Sequence, residues 1–232
     1  MFNQKVTVAK PMIISCLLYI LFSIITFILT KRFIHLMILW NLFLAALPLL
    51  FARLFVIYSE QRVWHKCLFC SFLWLLFFPN APYLLTDVIH LQGISFYSIS
   101  EDHAVIYSSN LLDWMSLVHL GVGIFIGTWS GMLSLMILHQ WMIRRLHRFL
   151  VNTLLFIVYI VSGFAIYLGR FLRLNSWDLF QPFAFFEKIS KSISVFSVGF
   201  SLLFALYICL IYSFCSFIFL SGTGSKQKFG RW

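Results

Sequence analysis

Phe78-Pro79-Asn80-Ala81-Pro82-Tyr83 breaks an apolar run that begins near position 65. Each proline lacks a backbone donor, and the residue ahead of each resists helical geometry. Carbonyls near Leu75 and Phe78 are therefore expected to lack helical partners. In hydrocarbon such groups must be buried in protein or line a wet cavity. Asn80 is expected to cap a second helical segment, with Pro82 tolerated in its first turn, or to satisfy the carbonyls that the prolines free. On that segment Tyr83, Asp87 and His90 stand at i, i+4 and i+7, one face of an α-helix.

Composition makes the bilayer the relevant solvent. The 232-residue chain is 62% hydrophobic and 10% charged, with a mean hydropathy of +0.95. A soluble domain needs far more charge to cover its surface. A hydrocarbon core about 30 Å thick takes roughly 20 apolar residues of helix. Candidate spans are 11–30, 33–52, 65–86, 112–143, 149–169 and 194–220. The fold class is an all-α polytopic membrane helix bundle of about six spans, with a Pro-broken third helix, as one integral membrane domain over 1–232. Span one follows Lys5 and Lys10 but lacks a clear cleavage site, so it is read as a retained anchor.

The net charge of +10 does not imply nucleic acid, because no basic patch stands apart from the membrane segments. With the N-terminus inside, the inner segments carry Lys5, Lys10, Arg53, Arg62, Lys66, Arg144, Arg145, Arg148, Lys226, Lys228 and Arg231. The outer segments carry the smaller set Lys31, Arg32, Arg170, Arg173, Lys188 and Lys191. The bias puts both termini in the cytoplasm. Residues 87–113 hold no Lys or Arg, which agrees; Lys31 and Arg32 weigh the other way. Of the cysteines, Cys67 and Cys70 form a lone CxxC without a second pair, which reads as packing rather than metal or redox chemistry.

Several spans show an inward side. Gly123, Gly127 and Gly131 recur at four-residue steps with His119 on the same stripe, which permits close helix approach and points His119 into the bundle. Span five carries a stripe of Asn152, Tyr159, Gly163, Tyr167 and Arg170. Ser190, Ser194, Ser197, Ser201 and Ala205 make a small-residue face on span six. Spans three to six are expected to form the core, with spans one and two outside it. A short interfacial helix is expected over 177–191.

By parity the end of span three, the start of span four and the end of span five face one compartment. Asp87, His90 and Asp113 meet Arg170, Arg173 and Asp178 there. Three chemistries fit. In the first, Asp87 and Asp113 pair with Arg170 and Arg173 and staple helix ends, since unpaired charge at membrane depth is costly. In the second, the arginines grip an anionic, lipid-like ligand or a small anion, with Asp87 and His90 as base and acid. Its lining would be Asn80, Tyr83, Asp87, His90, Asp113, His119, Tyr167, Arg170, Arg173, Asn175 and Asp178. In the third, Asp87, His90, Asp113 and His119 ligate a metal. Neither a resident metal nor a cofactor is implied by any motif; the partner implied by composition is the lipid bilayer. The broken span also suits a small transporter, and the staple alone suits a structural or accessory subunit.

Phe78-Pro79-Asn80-Ala81-Pro82-Tyr83, Thr86-Asp87, His90-Leu91 and Gly169-Arg170-Phe171-Leu172-Arg173-Leu174-Asn175-Ser176-Trp177-Asp178 together resemble the domain-of-unknown-function 1361 family of prokaryotic integral membrane proteins. The resemblance runs roughly from span two to span six. It implies a small multi-pass protein of a prokaryotic plasma membrane, with the two motif segments working as one site, and implies no reaction.

Overall fold

The structure is a computed structural model that describes residues 3–174 and 182–228. It is an all-α bundle. Helix α1 is Asn3–Thr30, α2 Ile34–Glu60, α3 Trp64–Phe77, α4 Asn80–Tyr83, α5 Leu111–Ile143, α6 Arg148–Phe171, α7 Pro182–Ser192 and α8 Val195–Lys228. A 3-10 helix, Leu84–Leu91, follows α4. Among the described residues five segments are long and apolar enough to cross a membrane: Ile34–Glu60, Trp64–Leu91, Leu111–Ile143, Arg148–Phe171 and Val195–Phe219. Ahead of them lies the shorter apolar stretch Ile14–Thr30 of α1. The chain forms two compact units, Met1–Phe43 with Leu84–Ile126, and Leu44–Tyr83 with Gly127–Trp232.

The break in the third span is met from within. The Asn80 side-chain amide donates to Phe77 O at 3.0 Å, Ala81 N to Phe78 O at 3.1 Å and Tyr83 N to Pro79 O at 3.0 Å. Asn80 is thus the first residue of α4 and serves a carbonyl of the preceding turn, the second of the two roles expected of it, rather than accepting as a cap. The chain then tightens to 3-10 geometry, where rows run i, i+3. Tyr83 therefore leaves the row of Asp87 and His90, and the single α-helical face expected for the three does not form.

In the first unit α1 and α2 pack on the N-terminal half of α5, so they are not an outer layer there. A Cβ on Gly123 would fall on the Tyr19 hydroxyl and 2.9 Å from Ile38 Cγ1. Ile34, Leu91 and Leu120 form a small core, closed by Ile94 and Phe96. Asn110 Oδ1 accepts from Leu112 N and starts α5. A hairpin absent from the sequence reading, Tyr97–Ile99 (β1) with Val105–Tyr107 (β2), pairs Tyr97 with Tyr107.

In the second unit α6 lies along α8. The buried face of α6 is Val151, Leu155, Tyr159, Ser162, Gly163, Ile166 and Tyr167; Asn152 is exposed and leaves the expected stripe. Ser190 belongs to α7, and Ser194 begins α8 through reciprocal bonds with Ser197. Trp74 Nε1 donates to Ser134 Oγ at 3.0 Å, joining α3 to α5. A Cβ on Gly131 would strike that of Ala81, and one on Gly163 would strike the Ser201 carbonyl oxygen.

A backbone oxygen cannot swing aside as a side-chain end can. Gly163→Ala is expected to lower stability by roughly 1–3 kcal/mol, as overpacking does. Gly121→Ala, where a Cβ meets nothing within 4 Å, should leave it nearly unchanged. Thermal unfolding of the two variants in one detergent checks the difference.

Candidate functional site

The first unit holds a chain of buried polar side chains. His119, His35 and Ser23 have no exposure, and Ser116 and Tyr19 are almost as deep. Ser23 Oγ lies 2.7 Å from His119 Nε2, and His119 Nδ1 lies 2.9 Å from His35 Nδ1. His35 Nε2 faces Ser116 Oγ at 3.4 Å. Tyr19 stacks on the His119 ring at 5.1 Å and donates to its backbone oxygen at 3.1 Å.

Proton positions follow from hydrogen counting in neutral rings. Ser23 gives its one proton to Tyr19 O at 2.8 Å, so it must accept from His119 Nε2–H. That leaves His119 Nδ1 bare, to accept from His35 Nδ1–H. His35 Nε2 is then a bare acceptor. The Ser116 proton already goes to Leu112 O at 2.9 Å, so only the long contact serves that nitrogen.

Two acidic candidates lie in the same unit. Asp87 is 2% exposed and accepts from Asn41 Nδ2 at 2.8 Å. His90, one row-step further on the 3-10 helix, is exposed. Asp113 Oδ1 stands 3.9 Å from Arg32 Nη2. That distance gives a weak pair, and Arg32 Nη1 is buried without a hydrogen-bond partner among the described residues. Asn41, His35 and Arg32 are thus site residues that sequence reasoning left aside. For Asn41 and His35 the signal was polarity inside an apolar span, which in a bundle marks a buried face; Arg32, in the turn between α1 and α2, carried none.

The basic candidates lie in the second unit. The Arg170 guanidinium sits 4.5 Å over the ring of Tyr83, and Gly169 lets that ring approach, its Cβ position lying 3.4 Å from Tyr83 Cε2. Arg173 follows the end of α6 with φ 53, a left-handed conformation unusual for a side chain with Cβ. Leu172 N and Leu174 N both turn back to Leu168 O, which fixes this end. Tyr167 is buried and donates to Ser192 O at 3.1 Å, tying α6 to the connection before α8. Asn175 and Asp178 lie outside the described residues.

No group of three or more His, Cys, Asp or Glu side chains suited to a metal occurs among the described residues. The model of a family described as "Protein of unknown function (DUF1361)" matches residues 40–211. The chain belongs to the DUF1361 family. No curated protein and no solved structure matches it. The part of this DUF1361 chain that the family covers contains the Asn41–Asp87 pair, the Pro-broken segment, His119 and the Arg170–Tyr83 stack. It does not contain Tyr19, Ser23, Arg32 or His35.

The two histidines should behave as one unit. His35→Leu strands His119 Nδ1, and His119→Leu strands His35 Nδ1–H. Each single change is expected to cost roughly 1–3 kcal/mol, the penalty for an unmet buried polar group. The double variant should cost less than the sum, by roughly 0.5–3 kcal/mol of coupling. A double-mutant cycle by denaturant or thermal unfolding measures it.

Proposed function

We propose that this DUF1361 protein is a multi-pass membrane protein that holds an anionic, lipid-like ligand at the C-terminal end of α6. That end lies at the outer leaflet, and both termini lie in the cytoplasm of a prokaryotic cell. The stack of Arg170 on Tyr83, beside Arg173 at φ 53, carries the reading. Stacking on an aromatic ring holds a guanidinium flat, and its N–H fork then grips phosphate or carboxylate oxygens in bidentate fashion. The helix end adds two such groups within one turn. The proposal is binding, without chemistry on the ligand.

A second reading makes the charges structural. It draws on the first unit, where Asn41 serves Asp87 and Arg32 approaches Asp113. Arg170→Ala separates the two. In the ligand reading the variant keeps its melting temperature and loses co-purifying anionic lipid, seen by native mass spectrometry. In the structural reading it unfolds more easily, by roughly 0.5–2 kcal/mol for the lost guanidinium–ring contact. Arg173→Gly sharpens the test. Glycine relieves a left-handed residue of about 1–2 kcal/mol of strain, and in the ligand reading lipid retention falls. Lipid retention unchanged in Arg173→Gly would count against the ligand reading.

Orientation is tested separately. On a cysteine-free background, Ser98→Cys in β1 should react with a membrane-impermeant maleimide from outside intact cells. Lys228→Cys should react only after permeabilisation. External labelling at 228 would invert the orientation.

A further inference from the structure

A second polar site stands where α2 and α5 end, in the unit Leu44–Tyr83 with Gly127–Trp232. A cavity of about 480 Å³ opens there between Val56 and Glu60 of α2 and Ile137, Gln140 and Trp141 of α5, with Arg144 and Arg145 in the turn that follows. Its volume lies within the span of small-ligand pockets, roughly 300–1,000 Å³. Val56 and Glu60 share one face of α2 at i and i+4. Ile137, Gln140, Trp141 and Arg144 share one face of α5 and its continuation at i, i+3, i+4 and i+7.

The wall is set before any ligand arrives. Trp141 Nε1 donates to Ser59 Oγ at 2.8 Å, and Phe55 meets the indole edge-on at 4.7 Å. Arg145 lies over the same indole, with Cζ 4.9 Å from its centroid. Ser59 is buried, so the indole is fixed on its α2 side. The cavity is therefore apolar toward the spans, at Val56 and Ile137, and charged at the rim, at Glu60, Arg144 and Arg145.

We propose that this cavity binds a membrane phospholipid whose head group joins a phosphate to a primary amine, as in phosphatidylethanolamine. The depth fits a lipid: the charged rim lies at the last residues of two membrane-crossing helices, Ile34–Glu60 and Leu111–Ile143, where head groups sit. The charges fit the head group. Arg144 and Arg145 supply the cationic forks for the phosphate, with Gln140 as a further donor. Glu60 supplies an acceptor for an ammonium that carries hydrogens. A phosphoglycerol lipid brings no ammonium of its own, so Glu60 and the phosphate would compete for the same two arginines. A choline head group brings a cation with no N–H to give. The acyl chains leave along Val56 and Ile137 into hydrocarbon. This site is distinct from the Arg170–Arg173 helix end and stands or falls without it.

The test uses the full-length protein, delipidated in detergent and titrated by native mass spectrometry. The probes are phosphatidylethanolamine, phosphatidylglycerol and phosphatidylcholine of one acyl composition, and free phosphoethanolamine. The wild type should hold phosphatidylethanolamine about tenfold more tightly than the other two lipids, the size of one charge-assisted hydrogen bond. Free phosphoethanolamine should bind far more weakly. Arg144→Gln/Arg145→Gln should lose about tenfold or more in affinity for phosphatidylethanolamine. Glu60→Gln should keep binding and lose the preference over phosphatidylglycerol. Glu60, Arg144 and Arg145 are exposed, so these variants should stay folded, with only the slight fall in melting temperature that loss of the Arg145–Trp141 contact brings. Equal binding of all three lipids, a preference that survives Glu60→Gln, or binding untouched by the arginine changes would overturn the proposal. Free phosphoethanolamine bound as tightly as the lipid would overturn the lipid assignment.

Discussion

Inside a bilayer no water completes a hydrogen bond, so each polar group must find its partner in the chain. That constraint shapes the Pro79–Pro82 break more than the prolines do. Two prolines free carbonyls; the chain answers with the Asn80 amide on Phe77 O and a tight bond from Ala81 N to Phe78 O. Phe78 and Ala81 are themselves fully buried, so the irregular backbone does not meet lipid. Gly131 lets α5 press on Ala81. The 3-10 segment that follows turns Asp87 inward to Asn41, where a regular α-helix would have placed it elsewhere on the cylinder. Sequence, local geometry and burial are linked here by one requirement.

The same requirement separates what could be read in the sequence from what could not. Length and apolarity decide membrane spans almost alone, so α2, α5, α6 and α8 lie close to their expected positions. Pro79 and Pro82 act on their own neighbours, so the break was legible too. Small residues tell that a helix approaches, without telling which one. The Gly123 stripe gave close packing but not Tyr19 and Ile38 as its occupants. Partnership between distant polar groups is a tertiary property. Asp87 had several acceptable partners by chemistry, and Asn41 donates to it at 2.8 Å; no spacing rule joins positions 41 and 87. The 3-10 turn and the β1–β2 hairpin were missed because short elements with few local signals take their form from what surrounds them.

The ends of the helices show a further regularity. Lys31, Arg62 and Arg173 follow α1, α2 and α6, and each adopts a positive φ, at 56, 58 and 53. Glycine is the usual residue there. A side chain in the left-handed region costs about 1–2 kcal/mol. The positive charge recovers part of this by facing the negative end of a helix, roughly 0.3–1 kcal/mol. The remainder matches the pull of one basic side chain toward anionic head groups, about 1 kcal/mol. A bilayer supplies that attraction to any basic residue at its boundary, so Lys31 and Arg62 need nothing beyond it. Arg173 differs in its neighbourhood. One turn earlier on the same helix end, Arg170 lies over the ring of Tyr83 of the broken span. The Arg170 guanidinium is restrained by its ring contact, whereas the turn restrains only the backbone of Arg173. A restrained guanidinium loses less freedom than a mobile lysine on gripping an anion, which is the physical ground of the ligand proposed for this helix end.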